Sequence, residues 1–68
     1  MAAAVLKHHQ ELAAQGDGYG LFKMGERYLK GDGVEADRAK GLSLLKRAAA
    51  MGREDAQALL RGTAGAAD

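Results

Sequence analysis

The side chains in this sequence that could do chemistry fall into three groups. They are the adjacent pair His8-His9, the sole serine Ser43, and the carboxylates Asp32, Glu35 and Asp37 around a glycine-rich turn. Neighbouring positions on a helix point about 100° apart, whereas a helical metal pair needs i, i+4 spacing, so two adjacent histidines do not hold one metal well. His9 lies on an apolar face, where a packed imidazole needs no catalytic role. Ser43 has no histidine near it in sequence. The loop carrying Asp32, Glu35 and Asp37 is too short for an EF-hand and lacks its closing bidentate glutamate. Capping and turn roles account for these acids. Gly31-x-Gly33 follows no strand and precedes no lysine-serine or lysine-threonine pair, so it is no phosphate cradle. The expectation is therefore no enzyme, no metal and no cofactor.

Totals narrow the classes further. The chain has 68 residues and no cysteine, which excludes disulfides and thiolate metal sites as sources of stability. A core of this size supplies only about 3–5 kcal/mol unaided. Ten basic and nine acidic residues give a net charge of +1. The charges are interleaved instead of forming the basic stripe that nucleic acids select. The apolar start Met1 to Leu6 is broken by Lys7-His8-His9 and is too short for a secretion signal or a membrane span. No nucleic acid and no membrane are expected as partners, and the default location is cytoplasmic.

The elements that position these residues read as helices throughout, since alanine and leucine abound and proline is absent. Val5, His9, Leu12 and Ala13 recur at helical period from about Ala2 to Gln15, and Leu6 widens that face. Gly16 is placed as a left-handed stop. Asp17 is placed as an N-cap for a second helix over roughly Gly18 to Lys30. There Leu21, Met24, Gly25 and Tyr28 form one stripe, and Phe22, Glu26 and Leu29 another. An in-helix glycine costs about 1 kcal/mol against alanine, so Gly25 predicts a close helix crossing. Gly31 and Gly33 bound a turn in which Val34 is expected to plug the core. Asp37 caps a third helix, about Arg38 to Met51, with Leu42, Leu45 and Ala49 facing inward. Gly52 repeats the stop, and a short fourth helix runs from Arg53 to about Arg61. Residues 62–68 read as a flexible tail.

Set against itself at an offset of 36, the chain pairs Gly16 with Gly52, Met24 with Leu60 and Ala13-Ala14 with Ala49-Ala50. A helix–turn–helix period in the thirties signals an α-solenoid. The landmarks Gly16, Met24-Gly25, Tyr28, Gly31-x-Gly33-Val34, Asp37, Lys40, Ala48-Ala49 and Gly52 together resemble the Sel-one-like repeat, a relative of the tetratricopeptide repeat. The resemblance covers Ala4 to Arg61. Gly20 and Gly41 depart from the alanines usual there, and Leu44 from a frequent aromatic, changes that remove buried volume. The expected fold is all-α: about four short antiparallel helices, a fragment of an α-solenoid. Its single helical-repeat domain spans residues 1–61, with one complete repeat at about 17–52.

The resemblance implies a non-catalytic protein–protein interaction module of adaptor or scaffold type. In such repeats the first helix lines the groove, which assigns partner binding to Phe22, Glu26, Arg27, Leu29 and Lys30. Phe22 and Leu29 would be apolar anchors, unless the Ala2–Gln15 helix shifts to cover them. Lys23, Arg27 and Lys30 would set the charge preference. The partner would be a protein or peptide. One alternative is a homo-oligomer whose copies cap each other's open ends through Val5, Leu6, Leu59 and Leu60. A further alternative is a small regulator or inhibitor of a partner enzyme.

Overall fold

The computed structural model describes the backbone of residues 2–66 and the side chains of residues 4–63. It contains four α-helices, α1 (Ala2–Ala14), α2 (Gly18–Lys30), α3 (Arg38–Ala50) and α4 (Glu54–Ala66), and no strand among the described residues. Each helix packs against its predecessor, so α2 lies between α1 and α3.

Local chemistry sets the helix starts. The Asp17 carboxylate accepts hydrogen bonds from the backbone N–H groups of Tyr19 (2.9 Å) and Gly20 (3.1 Å), satisfying free donors at the start of α2. The Asp37 carboxylate does the same for Lys40 N–H at 3.0 Å. Position 53, the counterpart of Asp17, is an arginine. There Asp55 takes over, accepting from Ala56 N–H at 2.8 Å and holding Arg53 through two bonds of 3.1 and 2.8 Å.

The turns at the two ends repeat each other. Gly16 N–H donates to Ala13 and Gly52 N–H to Ala49, both at 3.0 Å. Asp17 N–H reaches Leu12 C=O, as Arg53 N–H reaches Ala48 C=O. Gly16 and Gly52 share a left-handed backbone, at φ 78° and 92°. The offset seen in the sequence is thus an offset in backbone geometry. Under it, His9 corresponds to Leu45, and both are buried.

Leu21, Met24, Leu45, Ala48 and Ala56 are the buried apolar residues, and Leu21 and Leu45 are the largest side chains fully enclosed. Helix α2 meets a neighbour closely on both sides: a Cβ on Gly20 would lie 2.5 Å from the Ala13 backbone nitrogen of α1, and the crossing with α3 is nearly as close. A Cβ on Gly25 would lie 2.7 Å from Leu45 Cγ and 3.0 Å from the Gly41 carbonyl oxygen, and one on Gly41 would lie 2.9 Å from the Gly25 oxygen. The two glycines let the backbones meet while Leu45 folds over Gly25.

Two details differ from the sequence reading. Helix α4 continues to Ala66, beyond the expected end near Arg61, and residues 67–68 lie outside the described residues. Gly62 keeps a helical backbone, and the alanines around it favour continuation. Val34 is half-buried but is not among the side chains packed on the central cluster. Leu6 of α1 is the residue beneath the turn, with Cδ2 3.0 Å from where a Gly33 Cβ would stand.

Two alanine substitutions should move stability in opposite directions. Gly25→Ala meets a branched carbon and a backbone oxygen, so about 1–3 kcal/mol of overpacking outweighs the roughly 1 kcal/mol of helix propensity gained. Gly62→Ala meets nothing within 4 Å and should gain about 0.5–1 kcal/mol. Thermal unfolding by circular dichroism should show Gly25→Ala melting below the parent and Gly62→Ala above it.

Candidate functional site

Lys23, Glu26, Arg27 and Lys30 recur at i, i+3, i+4 and i+7, so they share one stripe of α2. Val5 and His9 form an i, i+4 pair on α1. With Asp32 these residues line a groove of about 260 Å³ between the two helices.

Arg27 organises it. Its Nε donates to His9 Nδ1 at 3.2 Å, and its Nη1 donates to the Asp32 carbonyl oxygen at 3.1 Å. Nη1 also lies 3.5 Å from the Asp32 carboxylate. Because a guanidinium only donates, His9 must accept at Nδ1 and carry its proton on Nε2. His9 is 5% exposed, and the Tyr19 ring meets it edge-on at 5.7 Å between centroids. Burial pushes the His9 pKa down from its usual value, and the nearby Arg27, Lys23 and His8 push it further, with Glu26 opposing them. The rest of the rim is a looser charge relay. Glu26 lies 3.1 Å from Lys23 Nζ and 3.9 Å from Lys30 Nζ, and the Lys30 side chain is 70% exposed.

The structure separates the residues assigned to partner binding. Glu26, Arg27 and Lys30 come together in the groove. Phe22 and Leu29 do not line it: both are half-buried and packed against the core. Leu29 is covered from α3, where it lies against Gly41. The Phe22 ring has Arg53 Cζ at 5.7 Å and Lys23 Nζ at 5.8 Å from its centroid. Of the end residues Val5, Leu6, Leu59 and Leu60, only Val5 is open, at 47% exposure; the other three are half-buried.

The remaining chemical groups are dispersed. Ser43, Asp32, Glu35 and Asp37 are exposed, and His8 is exposed beside buried His9. Among the described residues no group of three or more His, Asp or Glu side chains is placed to hold a metal ion. The Arg27–His9 bond joins residues 18 apart in sequence, so no local pattern announces it. Its one trace is that His9 stands where the offset of 36 puts Leu45. The chain matches none of the family models, curated proteins or solved structures with which it was compared.

The geometry fixes the sign of a pH effect. The unfolded chain protonates His9 near pH 6.5 and the folded chain only at lower pH. Between those values the unfolded state binds more protons, so the stability present above pH 6.5 is lost as pH falls through the folded pKa. The melting temperature should drop between pH 7.5 and pH 5. His9→Gln, whose amide oxygen can still accept from Arg27 and does not titrate, should flatten that drop, leaving His8 common to both proteins.

Proposed function

We propose that this chain is a non-catalytic protein–protein interaction module of the adaptor type, binding a protein or peptide segment in the α1–α2 groove. The observation that carries the reading is the makeup of that groove: one open aliphatic side chain, Val5, beside a rim of charged side chains. Three cations, Lys23, Arg27 and Lys30, face two carboxylates, Glu26 and Asp32, so one positive charge is in surplus. Arg27 is engaged by His9 and Asp32, whereas Lys30 is held only loosely. The segment that fits places an apolar side chain on Val5 and a carboxylate at Lys30. The resemblance to Sel-one-like repeats and the 36-residue recurrence of turn geometry support a solenoid-type scaffold that presents this groove.

Peptide-display selection against the immobilised chain tests the reading. Selected internal segments should pair an acidic residue with an apolar one, and should shift backbone amide signals of Val5, Lys23, Glu26 and Lys30 in nuclear magnetic resonance spectra. Lys30→Glu should weaken them by up to about fivefold, as expected of an exposed ion pair. Selection no richer than against a Val5→Asp, Lys30→Glu double variant would defeat the proposal.

A further inference from the structure

The other stripe of α2 borders a second opening of different chemistry. Helices α1 and α3 both pack on α2 but leave a cleft between them of about 380 Å³. Gln10, Ala13 and Ala14 form its α1 wall, Lys40 and Leu44 its α3 wall, and Met24 and Tyr28 its floor. Two of the three α1 residues that line it carry only methyl groups. The lining is aliphatic at Ala13, Ala14, Met24 and Leu44, and no carboxylate contributes to it. Its single cation, Lys40, sits 4.9 Å from the centroid of the Tyr28 ring and joins no ion pair among the described residues.

We propose that this cleft binds the C-terminal residue of a partner peptide, an aliphatic side chain together with its free α-carboxylate. Charge selects the ligand, since a lone cation with no opposing acid favours one negative group. An apolar floor selects the group beside it, and burying an aliphatic side chain there removes its surface from water. Size selects the form. The volume is near the lower end of the roughly 300–1,000 Å³ typical of small-ligand sites, too little for a helix about 10–12 Å across. A terminal residue carries both groups on one Cα, so both reach the cleft together. Gln10 and Tyr28 add hydrogen-bond donors along the same lining.

Titration of the isotope-labelled chain with N-acetyl-alanyl-leucine, as free acid and as C-terminal amide, tests the proposal. The acid should shift amide signals of Ala13, Met24, Tyr28, Lys40 and Leu44 and bind up to about fivefold more tightly than the amide, the scale of one exposed ion pair. Lys40→Met keeps the stem and removes the charge, so the acid should then bind no better than the amide. Ala14→Phe fills the cleft from an exposed position and should abolish both, with helicity checked by circular dichroism. Equal binding of acid and amide, indifference to Lys40→Met, shifts confined to other residues, or no shifts would each overturn it. Display selection of internal segments has no free C-terminus to offer, so its result is independent of this one.

Discussion

The backbone contact between α2 and α3 is the constraint on which the rest depends. At Gly25 and Gly41 each helix offers the other a position without a side chain, and a Cβ on either glycine would press on the carbonyl oxygen of its counterpart. That approach brings Leu45 over α2 and encloses it with Leu21, the two largest residues fully removed from water. A chain this short cannot bury much, so closeness substitutes for bulk. Dispersion falls steeply with separation, and the same leucines held further apart would contribute far less. Helix α2 is thereby fixed as the central element, and it bounds both the α1–α2 groove and the α1–α3 cleft.

Where local chemistry decides, the fold is legible in the residues. Apolar period, the aspartates at 17 and 37, and the glycines at 16, 31 and 52 together specify an all-α chain of four helices. The end of α4 is less legible, because a run of small residues has no apolar period to read and yet retains helix propensity. The groove was half legible. Glu26, Arg27 and Lys30 share a stripe by spacing alone, but which neighbour covers Phe22 and Leu29 depends on a crossing angle that spacing does not encode. The partnership of His9 with Arg27 is a tertiary fact, visible beforehand only as a polar residue in an apolar register.

That partnership shows how an edge helix is held when the core is too small to hold it alone. Position 45 of α3 is a fully buried leucine, while its counterpart on α1 is an imidazole set against a guanidinium and a phenol ring. Among the described residues every buried side-chain nitrogen and oxygen finds a partner, so the substitution avoids the cost of an orphaned donor or acceptor. It gives up some apolar burial and gains direction: an apolar contact tolerates sliding, whereas Nε to Nδ1 fixes the register of α1 on α2.

The attachment of α4 is of the other kind. Ala56, Leu59 and Leu60 meet α3 through carbon, with two side-chain hydrogen bonds, from Gln57 to the Ala49 carbonyl and from Arg38 to the Thr63 carbonyl. Both outer helices share apolar packing on the core, and they differ in that α1 adds a contact to a titrating group. Cooling weakens apolar association, and acid weakens a contact that requires neutral imidazole. Acid therefore loosens α1 selectively, whereas cooling loosens the apolar packing of α1 and α4 alike. The glycine crossing between α2 and α3 is common to both partly opened forms.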